Sequence, residues 1–384
     1  MKSVRLGIIG VGNMGTSHSR YLQNREVQRC ELTAVCDVDP AKLTRFDDLK
    51  TCTDSAALIR SGEVDAVIVA TPHYDHTTVG ADAMDRGIHV LVEKPISVHK
   101  ADCERLIAAH KRNPKLVFGA MFQMRTEPVY KKIKSLIDSG ELGEIQRTNW
   151  IVSAWFRTEA YYASGGWRAT WKGEGGGVLL NQCPHNLDLF QWYCGLPTKV
   201  RAFCHNGKYH DIEVEDEVTA YFEYENGATG VFVASTGEAP GTDRLEIAGD
   251  KGRLVYENGK ILFTRNEVGA KVFNRTASGG FDRPDVWNVE IPVRSERTGH
   301  AVITQNFVDA ILDGVPLIAP AEEGIRSVEF ANAMIYSSML GQTVEIPLDG
   351  AAYEAKLKSV IAASKFEKKT TGSGVATDML KSFR

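Results

Sequence analysis

The feature that most constrains this chain is its first fifteen residues. A strand-like run, Val4 to Ile9, passes directly into Gly10-Val11-Gly12-Asn13-Met14-Gly15, and a helical pattern from about Met14 to Asn24 follows. G-x-G-x-x-G between a strand and a helix is the dinucleotide fingerprint. The first glycine allows the tight turn, the second lets backbone approach a pyrophosphate, and the third lets helix pack on strand. The helix N-terminus then turns unpaired N–H groups toward the phosphates. Asp37 ends a second strand about twenty residues after Gly15. A carboxylate there accepts hydrogen bonds from an adenosine ribose diol and repels a 2′-phosphate. No arginine follows it immediately, so the pattern points to NAD rather than NADP. The competing reading is a nucleotide-free glycine turn with Asp37 on the surface.

The pattern continues with "VDAVIVA", the helix "HTTVGADAMDRG" closed by Gly87, "HVLVEKP", the helix "KADCERLIAAHKRN" and "KLVFGAM". Near-continuous apolar strands between helices predict a parallel sheet covered on both faces. After about Phe122 the character changes. One amphipathic helix, "EPVYKKIKSLIDSG", leads into alternating runs over 144–156, 217–224, 228–236 and 244–266, with turn signals at Asn226-Gly227 and Asn258-Gly259. These predict a large, mostly antiparallel sheet. Two long helical stretches over 300–314 and 321–341 follow, then a polar tail ending in Ser/Thr/Gly-rich sequence, expected to fray. The fold class is therefore α/β: a dinucleotide-binding domain over 1–122 and a second α/β domain over 123–384.

Composition narrows the function. The net charge of -4 gives no electrostatic reason for nucleic acid or an anionic membrane as partner. No apolar run is long enough to cross a bilayer, and "MKSVRLGIIGVG" lacks a secretory h-region. Seven scattered cysteines without C-x-x-C spacing fit reduced thiols in a cytoplasmic protein. His73 and His76 lack a third ligand at suitable spacing, so no metal is expected.

Two further stretches carry chemistry. Glu93-Lys94-Pro95 sits just past a buried strand, where open α/β sheets bind ligands. On these residues alone, a chemical lysine and a surface Lys-Pro turn stand level. "GGGVLLNQCPHNLDLF", residues 175–190, holds His185 at the mouth of a helix. Asn181 lies four residues earlier, which on a helix puts both side chains on one face. Trp155, Arg157, Tyr161 and Trp167 crowd the region before the glycines, and aromatic faces with a guanidinium suit a sugar ring as well as they suit packing.

"GVGNMG", "CDVDP", "VIVATPHYDH", "GIHVLVEKPIS" and "GGGVLLNQCPHNLDLFQWYCG" together resemble the Gfo/Idh/MocA oxidoreductase family, from the N-terminus through about Leu348. The resemblance implies a Rossmann domain followed by a substrate and oligomerisation domain, with closing helices over about 300–340 packing back on the Rossmann domain. It implies NAD held by Gly10, Gly12, Asn13, Met14, Gly15 and Asp37, with Thr71, Pro72, His76, Glu93, Lys94, Gln123, Trp167 and Arg168 around its nicotinamide half. It implies Lys94 and His185 as catalytic residues, and Asn181, Arg125, Trp155, Arg157 and Tyr161 as substrate-binding residues. A commoner family pattern has aspartate where this chain has Asn181. An amide orients an imidazole or a sugar hydroxyl but carries no charge. The implied reaction is oxidation of a secondary hydroxyl of a sugar, cyclitol or glycoside, in a homodimer or homotetramer. The alternatives are a hydrolase or eliminase that uses NAD transiently and a nucleotide-sensing regulator. Net NADH formation separates the first from a dehydrogenase, and the second would be expected to lose Lys94 or His185.

Overall fold

The computed structural model describes residues 2–370. The first part alternates strand and helix: β1 Val4–Ile9, α1 Asn13–Gln23, β2 Cys30–Cys36, β3 Lys50–Cys52, α2 Ser55–Ile59, β4 Ala66–Val69, α3 Asp75–Asp85, β5 His89–Val92, α4 Lys100–Arg112 and β6 Phe118–Ala120. The strands form one parallel sheet in the order β3-β2-β1-β4-β5-β6. The strand order reverses between β1 and β4, so the strand C-termini open there into a crevice. β4 and the core of β5 are buried throughout because helices cover both faces. The short β3 and α2 have too little apolar pattern for the sequence to announce them; Asp54 starts α2 by accepting hydrogen bonds from Ala56 and Ala57 N.

The second part contains α5 Pro128–Asp138, β7 Ile145–Val152, α6 Glu159–Tyr162, α7 Pro184–Cys194, β8 Lys199–Asn206, β9 Glu215–Glu223, β10 Thr229–Ser235, β11 Asp243–Gly249, β12 Gly252–Glu257, β13 Lys260–Asn266, α8 Ala270–Thr276 and β14 Val286–Ile291. α9 His300–Asp313, α10 Gly324–Leu340, β15 Val344–Glu345 and α11 Gly350–Ala363 close the chain. Among the described residues a nine-stranded sheet runs β14-β13-β12-β11-β7-β10-β9-β8-β15, antiparallel except between β7 and β10. Its central strands alternate. Val218, Ala220 and Phe222 point inward with Phe232, Trp150 and Leu245, while Tyr221 and Phe203 point outward.

The described residues hold two cores. One gathers the parallel sheet and its helices, and it takes Ile303, Phe307 and Val308 of α9. The other lies under the large sheet with Leu187, Leu189 and Phe190 of α7. The closing helices were expected to pack together on the first domain. α9 does; α10 bridges both cores, with Val328 in the first, its Asn332 Oδ1 and Glu329 Oε1 accepting from Lys100 N and Nζ of α4 at 2.9 Å, and Phe330, Met334 and Ile335 in the second. The reason is local: Ser337 and Ser338 of α10 accept hydrogen bonds from the Ala202 and Cys204 amides of β8, at 3.1 and 2.9 Å. Two-residue β15 leaves this stretch of β8 unpaired, and the hydroxyls satisfy it. α11 extends to Ala363, capped by Asp349 and anchored by buried Tyr353 and Leu357 four residues apart. The Ser/Thr/Gly-rich terminus lies outside the described residues.

Candidate active site

The glycine turn has the properties a dinucleotide requires. A Cβ on Gly15 would meet the Gly10 carbonyl oxygen at 1.9 Å, so α1 packs on the turn only with glycine there. A Cβ on Gly12 would meet nothing within 4 Å, which leaves open space where the fingerprint brings backbone to a pyrophosphate. α1 begins with no side-chain cap, and Asn13 is exposed while Met14 is half-buried at its start. Asp37 is buried at the end of β2; its Oδ2 accepts from Val11 N at 3.0 Å and its Oδ1 from Asp39 N at 3.0 Å. Lys42 Nζ reaches the same carboxylate at 3.2 Å. At the end of β4, Thr71 Oγ1 is buried with no partner and Pro72 is exposed. These residues fit a bound NAD.

Glu93 and Lys94 leave β5 through a cis Lys94-Pro95 peptide. The Glu93 carboxylate is occupied. Oε1 lies 2.7 Å from His18 Nε2 and Oε2 accepts from Lys94 N at 3.1 Å, so Glu93 braces the loop. Burial is the largest single influence and raises its pKa, but the His18 bond together with the neighbouring His18, His300 and Lys94 outweighs it and holds the pKa down to about 2. His76 is also committed: its ring nitrogens lie 2.8 Å from Pro95 O and 2.9 Å from Thr71 O, tying the two loops together.

Lys94 Nζ donates to the Asn181 carbonyl oxygen at 2.9 Å, joining the two parts of the molecule. Burial lowers the lysine pKa; the Glu93 carboxylate opposes this and Arg168 adds to it. Gln123 Nε2 lies 3.0 Å from His185 Nε2, while Gln123 Oε1 and His185 Nδ1 are buried without partners. Burial, reinforced by Lys94, pushes the imidazole pKa well below its ordinary value, so His185 is neutral and able to accept a proton. The expected pairing of Asn181 with His185 on one helical face is not formed. Pro184 occupies the first turn of α7, and Asn181 precedes the helix in a turn. Gln123, not Asn181, touches the His185 ring.

Asn181 instead joins a polar cluster. Its Oδ1 accepts from Tyr161 OH at 3.0 Å and Gln182 Nε2 at 3.2 Å, and its Nδ2 donates to Glu174. Arg168 Nη1 donates to Tyr161 OH at 3.0 Å, with its guanidinium 4.5 Å over Trp167. The Arg157 guanidinium lies 5.5 Å over Trp155 and 5.2 Å over Tyr161. Trp155 and Gln123 line a cleft of about 490 Å³, together with Asn186 and His300.

Arg125 is a correction. Expected against substrate, its guanidinium is buried and forms two 2.7 Å bonds to Asp188 and a 2.6 Å bond to Glu323. It is a structural ion pair joining α7 to the turn before α10. Sequence reading missed Glu174, Gln182 and His18. The one available signal was Glu174, a lone acid immediately before the three glycines. Among the described residues, no group of three or more His, Cys, Asp or Glu side chains is placed to hold a metal. None of their helices is long and apolar enough to cross a membrane.

Comparison with known proteins agrees with this layout. Residues 4–120 match the "Oxidoreductase family, NAD-binding Rossmann fold" model, and residues 130–255 match the "GFO/IDH/MocA C-terminal domain" model. The chain belongs to the Gfo/Idh/MocA family of oxidoreductases, with NAD as the nucleotide of its Rossmann fold. It is 34% identical to inositol 2-dehydrogenase of Salmonella typhimurium over 147 residues, 37% of this chain; the match spans under half, 44%, of that relative's length. It is 26% identical to myo-inositol 2-dehydrogenase of Thermotoga maritima over 66% of this chain and 75% of the relative. Among solved structures, the WlbA dehydrogenase of Chromobacterium violaceum, in complex with NADH and UDP-GlcNAcA, superposes with a TM-score of 0.78 at 26% identity, covering 91% of this chain and 97% of that one.

Proposed function

We propose that this protein is an NAD-dependent dehydrogenase that oxidises a secondary hydroxyl of a sugar, cyclitol or glycoside to a ketone. The observation that carries the reading is the Lys94–Asn181 bond of 2.9 Å, which brings an ammonium from the end of β5 to the turn that leads into His185. The inositol dehydrogenases among its relatives support a polyol substrate.

NAD, held by Gly10, Gly12, Gly15 and Asp37, supplies the hydride acceptor. The chain's own residues manage the hydroxyl. Lys94 Nζ donates a hydrogen bond to the reacting oxygen and polarises it. His185 takes the hydroxyl proton on Nε2, where the Gln123 amide now donates and marks the lone pair. The unpartnered Gln123 Oε1 can accept from that new N–H once the amide turns over. Gln123 thus serves both charge states of the ring. Trp155, Arg157 and Tyr161 offer stacking faces and donors to a hydroxylated ring.

The test is a panel of sugars, inositols and glycosides with NAD, read by NADH absorbance. Net NADH formation with one of them is expected, and its absence across the panel while bond cleavage proceeds overturns the reading. Lys94→Ala is expected to keep NAD binding by calorimetry and to lose about 10²–10⁴-fold in turnover, the range of a general acid/base group.

A further inference from the structure

Residue 181 is an amide where a carboxylate would balance the Lys94 charge, yet a carboxylate lies against that amide. We propose that Glu174 is a positioning residue of this site: its buried carboxylate fixes which way the Asn181 amide faces, and supplies one side chain away the negative charge that residue 181 lacks. The proposal rests on the reading of Lys94 as the group that polarises the reacting hydroxyl.

Glu174 is 2% exposed. Its Oε2 accepts from Ala169 N at 2.5 Å and its Oε1 from Asn181 Nδ2. A carboxylate only accepts, so the Asn181 nitrogen must face it and Oδ1 must face Tyr161 and Gln182. Arg168 and Gln182 both donate to Tyr161 OH, at 3.0 and 3.2 Å, so the tyrosine proton has Asn181 Oδ1 as its acceptor, at 3.0 Å. The carboxylate therefore fixes the Asn181 amide, whose Oδ1 takes the tyrosine proton and whose backbone oxygen receives Lys94 Nζ. The charges in reach of Lys94 are the carboxylates of Glu93 and Glu174 and the guanidiniums of Arg168 and Arg157. His73, His185, His300 and Cys183 also lie within its field. Burial raises the Glu174 pKa, and Arg168 Nη1 at 3.9 Å, the Ala169 and Asn181 bonds and Lys368 oppose this; Tyr162 and Glu215 also lie around it. Removing the Glu174 charge leaves Lys94 with Glu93 against two guanidiniums.

Lys94 acts protonated, so its loss of a proton defines the alkaline limb of kcat/KM for alcohol oxidation. E174Q removes a nearby negative charge, which lowers the Lys94 pKa, and the limb is expected to move to lower pH by on the order of one unit. N181D alone sets two buried carboxylates in contact; they share one proton, the net charge is unchanged, and the limb stays near wild type. E174Q/N181D exchanges amide and carboxylate, so one charge and one amide–carboxylate bond remain and the limb is expected to return. A second reading uses the cofactor-free protein: the pH dependence of Lys94 modification by acetic anhydride, followed by mass spectrometry, reports the same shift without turnover. An E174Q protein whose limb and Lys94 labelling both match wild type overturns the proposal. If E174Q does not fold, the double variant decides: a folded protein with the wild-type limb supports the exchange, and a shifted limb or no fold overturns it. Lys94→Ala keeps the two readings apart. Normal turnover there overturns the role of Lys94 itself, whereas an inactive Lys94→Ala beside an unmoved E174Q overturns only Glu174.

Discussion

The residues of this site show how far side-chain chemistry depends on what each group faces. Burial lowers the pKa of both Lys94 and His185: it keeps the imidazole neutral and leaves the ammonium reliant on the carboxylates of Glu93 and Glu174. Arg125 shows the converse. It looked like a substrate group, yet burial and three short bonds commit it to Asp188 and Glu323. Removing it leaves the Asp188 carboxylate buried and uncompensated. Arg125→Ala is therefore expected to cost about 3–5 kcal/mol of stability. Urea denaturation checks this, and a loss below about 1 kcal/mol would place the pair among exposed salt bridges. The chemical identity of Lys94 and His185 was legible in their motifs. Their partners were not, because Gln123, Glu174 and His18 stand far from them in sequence or carry no periodic signal.

At the scale of elements, the turn from β1 into α1 separates two uses of glycine. Gly15 is needed for packing, since any Cβ there meets backbone at 1.9 Å. Gly12 faces open space and is needed only if something else occupies that space. Gly15→Ala is expected to lower the melting temperature by several degrees, as a core clash of about 1–3 kcal/mol does. Gly12→Ala is expected to leave the melting temperature in place and weaken NAD binding by calorimetry. A Gly12→Ala protein that binds NAD as wild type would show that the pyrophosphate does not approach this turn. The same comparison explains which elements the sequence announced. Strands with a full apolar period were readable at β1, β2, β4 to β7 and β9 to β13. β8, β14, β15 and α8 are short, exposed or edge elements whose partners, not their own pattern, hold them in place.

At the scale of the molecule, the large sheet packs one face on α7 and α10 and leaves the other uncovered. That open face carries Ile151, Phe203, Tyr221 and Leu262. Phe203 pairs with Thr219, which pairs with Val233, which pairs with Ile151, so these side chains share one row across four strands. A continuous apolar row on a wide sheet fits a second copy of the chain. A homodimer or homotetramer is expected by light scattering, and Phe203→Lys with Ile151→Lys is expected to reduce the mass toward the monomer. A monomeric wild type would contradict this. What the sequence by itself determined was most of the order of elements, the fingerprint turn, the carboxylate at the end of β2 and the two stretches that hold Lys94 and His185, because periodicity and local motifs act over a few residues. What only the tertiary structure decided was the company those groups keep. Hydrogen bonds between Lys94 and Asn181, or between Arg125 and Asp188, join residues far apart in the chain, and such contacts exist only once two cores have formed and burial has forced each polar group to find a partner.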